Sequence, residues 1–192
     1  RIGEPVLRGA FRQAMRIMGH QFVMGRTIEE ALERSVSAES KLYRHSFDML
    51  GESALTTWDA MRYLKAYHEA IQQIGAHSTK VSAIEASRSI SVKLSALFPR
   101  YEFSQRARVL KELAPRLHEL AVAAKAVNIP LTVDAEEAER LELSLELIDL
   151  LDRELKRIQF GLRIIPHDLR MLRAFLDGRI AWIVKLHRLH GC

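Results

Sequence analysis

The chain has 192 residues, 48% hydrophobic and 28% charged, a mixture that suits one globular domain with a real core. No run approaches the ~18–20 apolar residues of a membrane span and no signal segment opens the chain; the single cysteine, Cys192, excludes an internal disulfide and points to a reducing, cytoplasmic setting. The net charge of +5 sits in the tail, since residues 1–152 hold 20 Lys/Arg against 21 Asp/Glu while 153–192 hold 9 against 3, and without aromatic interleaving this excludes a dedicated nucleic-acid site as the leading expectation.

In chain order, Pro5 to Met18 carries Val6, Leu7, Ala10, Phe11, Ala14, Met15 and Met18 on a helical stripe. Thr27-Ile-Glu-Glu30 has the pattern of a capping box and opens a short helix through Ala31 and Leu32. Ser46 to Glu52 breaks the helical period and reads as an extended segment entering a turn. A longer helix starts at Thr57 and ends at Gly75, with Met61, Leu64, Tyr67, Ala70, Ile71 and Ile74 on one side. Ile90 to Ser95 alternates with period two and predicts a strand. Gln105 to Val127 is helical, with Pro115 as a point of kinking or division. Pro130 to Asp134 predicts a second strand, Ala135 to about Leu155 a helix, Phe160 to Ile165 a third strand and Leu172 to Leu189 a further helix. Strands alternating with helices imply a parallel sheet, either doubly wound or the opening of a (β/α)8 barrel.

Strand parity supplies candidate site residues. Ile90, Val92 and Leu94 face one way and Ser91, Lys93 and Ser95 the other; Leu131 and Val133 oppose Thr132 and Asp134. An open parallel sheet calls for apolar residues on both faces. In a barrel, by contrast, charged groups at the C-terminal ends of strands form an active site. Lys93 and Asp134 then share one mouth, and a lysine turned inward needs an anion. The structural alternatives are an edge-strand lysine that discourages aggregation and an aspartate that N-caps the next helix. Trp58 and Trp182 read as packing residues. His187 and His190 stand at i, i+3 but lack a third ligand and read as solvated.

Three runs go further: Ser46-Phe-Asp-Met-Leu-Gly-Glu-Ser-Ala-Leu-Thr56, Ile90-Ser-Val-Lys-Leu-Ser-Ala-Leu-Phe-Pro-Arg-Tyr101 and Asp134-Ala-Glu-Glu-Ala-Glu-Arg-Leu-Glu-Leu-Ser-Leu145. In this order and spacing they resemble the proline dehydrogenase domain of the proline utilization A family. Gly3-Glu-Pro5 and Met18 to Gly25 are similar to the helical segment before that barrel. The resemblance implies an α/β fold: N-terminal helices over residues 1–85, then about three βα units of an incomplete (β/α)8 barrel over 86–192, divergent after about 155. It implies an FAD cofactor and oxidation of L-proline to Δ1-pyrroline-5-carboxylate, with electrons passed to a quinone and peripheral membrane association of the whole enzyme. Lys93 matches the lysine that holds the substrate carboxylate. Asp134 matches an active-site aspartate beside the flavin, Ala135 a backbone contact to the flavin, and Asp48 and Glu52 acidic residues lining the substrate site.

Beyond Leu155 the likeness degrades. Phe160-Gly-Leu-Arg-Ile-Ile-Pro-His-Asp-Leu-Arg170 keeps the Phe-Gly but places Ile165, Pro166 and His167 where the family has a glutamine followed by Ala-Tyr. Both ends read as cut, and the chain alone is expected to be poorly soluble and inactive. The competing expectation is a helical module whose basic tail binds nucleic acid or an anionic membrane.

Overall fold

A computed structural model of the chain describes residues 3–36, 45–51, 53–78, 88–134 and 136–157. Helix α1 (Gly3–Phe22) runs beyond both ends of the predicted stripe, and its Val6, Leu7, Phe11 and Met15 are exposed. Helix α2 (Ile28–Ser35) begins where the Thr27 hydroxyl accepts the Glu30 N–H at 3.3 Å. Glu30 reaches back one residue further than a capping box requires and accepts the Arg26 N–H at 2.8 Å.

The extended segment after residue 45 is a strand, β1 (Ser46–Asp48). Helix α3 (Thr57–Ala76) follows, closed at its start by a full capping box between Thr56 and Asp59. Strand β2 (Ser89–Val92) leads into the single-turn helix α4 (Leu94–Leu97). A 3-10 turn, Phe103–Gln105, precedes α5 (Arg106–Ala126), then come strand β3 (Leu131–Val133), a second 3-10 turn at Ala138–Arg140, and α6 (Leu141–Arg157). The three strands form one parallel sheet in the order β1-β2-β3, with Phe47 beside Ile90 and Ile90 beside Leu131. The sheet therefore reaches into the stretch read as a helical lead-in, because β1, α3 and β2 form one strand–helix–strand unit.

One hydrophobic cluster joins sheet and helices. Tyr67, Ile71 and Ile74 of α3, Leu113, Leu117 and Leu120 of α5, and Leu143 and Leu147 of α6 share one buried cluster with Ile90 and Val92. Parity thus holds for β2: Ile90 and Val92 are buried, Ser89 and Ser91 half-buried. The strand nevertheless stops at Val92 rather than Ser95. Leu94 and Leu97 are both fully buried at helical spacing, and the Ala96 N–H to Lys93 carbonyl bond at 3.2 Å closes a turn there. Period-two and helical readings agree on Leu94, which is why the alternation overran the strand.

Three further expectations change. Pro115 lies on the exposed side of α5 and leaves it undivided over Arg106–Ala126. Asp134 does not cap the next helix, which starts at Leu141 after the 3-10 turn. Trp58 is not a packing residue: it is 70% exposed on the side of α3 opposite Leu64 and Tyr67, with the Arg62 guanidinium 5.2 Å from its ring centre. The predicted third strand and last helix, with Arg163, Trp182, His187 and His190, lie outside the described residues.

Candidate active site

The C-terminal ends of all three strands carry a charged residue. Asp48 is the last residue of β1, and Lys93 and Asp134 each stand one residue beyond β2 and β3, whose ends Val92 and Val133 are paired. The Asp134 N–H donates to the Val92 carbonyl at 2.9 Å, so this aspartate leaves the sheet alongside Lys93. The Lys93 ammonium lies 2.6 Å from an Asp48 oxygen and 3.4 Å from an Asp134 oxygen. The first contact is a short charge-assisted hydrogen bond. The lysine side chain is 22% exposed, and those of Asp48 and Asp134 36% and 39%. The cluster is therefore open on one side, with its charges only partly screened.

These positions bear on the structural alternatives. Lys93 ends the central strand of the sheet, where an edge-guarding lysine has no purpose. Asp134 has no helix start to cap. Asp48, Lys93 and Asp134 come together, while Glu52 and Ala135 lie outside the described residues. Among the described residues, no group of three or more His, Cys, Asp or Glu side chains is placed to hold a metal ion.

Sequence reasoning missed the supports beneath this cluster. The Lys93 N–H donates to the hydroxyl of the fully buried Tyr67 at 3.1 Å. Two residues past Lys93, Ser95 donates its N–H to Glu136 at 3.0 Å, and its hydroxyl bonds the same carboxylate. The Ser95 carbonyl accepts the Ala54 N–H at 3.1 Å. Beyond Glu136, Tyr101 is buried against Ser144, and burial pushes its phenol up to about 12. The signal for Ser95 and Glu136 was their matched spacing, each two residues past a charged strand end, but nothing in the letters says that those two side chains meet.

The family whose pattern matches residues 31–163 is proline dehydrogenase. The bifunctional protein PutA of Klebsiella aerogenes is 49% identical over 149 residues, which are 78% of this chain and 11% of that protein. PutA of Rhizobium meliloti is 50% identical over 154 residues, 79% of this chain and 12% of that one. This chain thus spans about a tenth of the length of these curated relatives. Among solved structures, a variant of Bradyrhizobium japonicum proline utilization A matches with a TM-score of 0.63 and 54% identity, covering 79% of this chain and 15% of that one. Proline utilization A of Bdellovibrio bacteriovorus, at 21% identity, matches with a TM-score of 0.72 over 91% of this chain and 20% of its own, a likeness of fold.

Proposed function

The chain belongs to the proline dehydrogenase family, and on that premise we propose that it contributes the substrate-facing strands of an FAD-dependent enzyme that oxidises L-proline to Δ1-pyrroline-5-carboxylate. In this reading β1, β2 and β3 are strands of a (β/α)8 barrel, whose C-terminal edge carries the catalytic groups. The observation that carries the proposal is the Asp48–Lys93–Asp134 cluster at that edge. Proline is a zwitterion, and the cluster is its electrostatic complement: an ammonium for the carboxylate, two carboxylates for the amine.

The residues present suit part of the cofactor. Asp134 and the loop after β3 offer polar groups to the edge of a flavin ring, with Ala135 as the backbone contact that the family likeness assigns. The cation of the cluster is Lys93, bonded to Asp48 and paired with Asp134 at 3.4 Å, so the diphosphate must be held elsewhere. FAD, when bound, supplies the acceptor for the hydride that leaves proline C5, and the electrons then pass to a quinone. The protein's share is positioning. Lys93 holds the substrate carboxylate, Asp48 and Glu52 line the site and support the lysine, and Asp134 orients the amine. Two electrons and one proton leave the C5–N unit as its double bond forms, once the amine has lost its extra proton.

Lys93→Ala in a complete, flavin-loaded proline dehydrogenase that carries this segment tests this reading. Loss of a charge-assisted bond to the substrate, about 1.5–3 kcal/mol, raises KM for L-proline roughly tenfold to 100-fold. An unchanged KM refutes it. The basic interaction module has no comparable support: residues 153–157 are the described part of the basic tail, and they continue α6.

A further inference from the structure

The three strand ends are joined twice. Lys93 is bonded to Asp48 and lies against Asp134; two residues on, Ser95 is bonded to Ala54 on one side and Glu136 on the other. We propose that Glu136 is a positioning residue for substrate binding, acting through Ser95 to hold the turn from which Lys93 projects.

The need for such a device follows from where β2 stops. Past Val92 the chain leaves the sheet ladder, so the N–H groups of Lys93 and Ser95 require partners outside it. Tyr67 takes the first and Glu136 the second. Helix α4 is a single turn with no side-chain N-cap of its own from Lys93, and the Glu136 carboxylate does that work from the neighbouring strand loop. Its own side chain is 10% exposed and lies near Arg140, whose nearest nitrogen is 4.0 Å away and also pairs with Glu137 at 2.9 Å. Arg140 in turn lies over the Tyr101 ring at 5.7 Å. The carboxylate is therefore held from both sides, and its bonds to Ser95 tie the β2 and β3 ends at a fixed separation. The Lys93 ammonium is set by that separation, because its stem starts two residues before Ser95.

A displacement of about 1 Å costs up to roughly 100-fold in rate, and the same slack lengthens the charge-assisted contact of Lys93 with the substrate carboxylate, so it registers in affinity as well. The inference rests on the reading of Lys93 as the carboxylate ligand, and the experiment separates the two. In the same complete, flavin-loaded enzyme that carries this segment, calorimetric dissociation constants are measured for cyclopentanecarboxylate, which keeps the carboxylate, and for pyrrolidine, which lacks it. Glu136→Ala is expected to weaken cyclopentanecarboxylate by at least about tenfold and to leave pyrrolidine within about twofold. Glu136→Gln, which retains an acceptor for the Ser95 N–H, stays near the parent. In a Lys93→Ala background, Glu136→Ala adds nothing. Equal weakening of both ligands, or no weakening of cyclopentanecarboxylate while Lys93→Ala does weaken it, overturns the Glu136 proposal alone. No effect of Lys93→Ala on cyclopentanecarboxylate overturns the reading of Lys93 and the proposal with it. If Glu136→Ala loses its flavin, Ser95→Ala, which removes one of the two bonds, takes its place with the same expected selectivity and the same refuting outcomes.

Discussion

Ser144 gives its one hydroxyl proton to the Arg140 carbonyl at 2.9 Å, so the 2.8 Å contact with Tyr101 has the phenol as donor. Both residues are buried, and this bond ties the segment after α4 to α6. Tyr101→Phe leaves Ser144 with its carbonyl partner and removes one bond without opening a cavity, so the expected loss is about 1 kcal/mol, read from urea unfolding at unchanged m-value. A loss well above that places more on the phenol than one hydrogen bond. The same residue-level arithmetic explains what was legible around the site. Lys93 and Asp134 stood out because each is the charge on the polar face of a strand whose other face is apolar, and a charge turned inward is costly unless paired. Ser95 and Glu136 did not, because their bond joins positions 41 residues apart, and each residue alone is compatible with solvent.

Helix α3 shows how an element is held at its start. Asp59 accepts the Thr56 N–H at 3.0 Å and the Thr56 hydroxyl at 2.8 Å, and these bonds, the hydroxyl's first, hold its carboxyl below the usual carboxylate range. A lowered folded-state pKa means that the unfolded chain takes up the proton first. The cap's stabilisation is accordingly complete above the ordinary aspartate value of about 3.9 and is lost as pH falls through the lower folded value. Asp59→Asn is therefore expected to melt below the parent near neutral pH, with the gap in Tm narrowing as pH approaches about 3. A gap independent of pH places the effect elsewhere than in the charge. Helices of this kind were readable because capping residues and a 3.6-residue stripe are local. Their boundaries failed where tertiary bonds took over: α6 starts six residues later than the sequence pattern suggests, since Glu136 is engaged with Ser95 and a 3-10 turn at Ala138–Arg140 comes first.

At the scale of the molecule, the order of elements and the parallel sheet follow from the alternation of strand and helix patterns, whereas β1 was recognisable only as extended. Three residues are too few to establish a period, and what makes them a strand is the pairing of Phe47 with Ile90, 43 positions on. The same geometry bears on what this chain does alone. A bound cofactor is ordinarily enclosed over about 70–90% of its surface in a cleft. The described C-terminal edge offers three short strands, with Asp48 and Asp134 more than a third exposed beside Lys93. That edge presents one wall of a site and no opposing wall among the described residues. The purified 192-residue chain is thus expected to emerge from gel filtration without yellow flavin and to show no proline-dependent reduction of a quinone. Flavin retained at about one per chain after exhaustive desalting contradicts this, because it requires the cofactor to be enclosed by this chain alone.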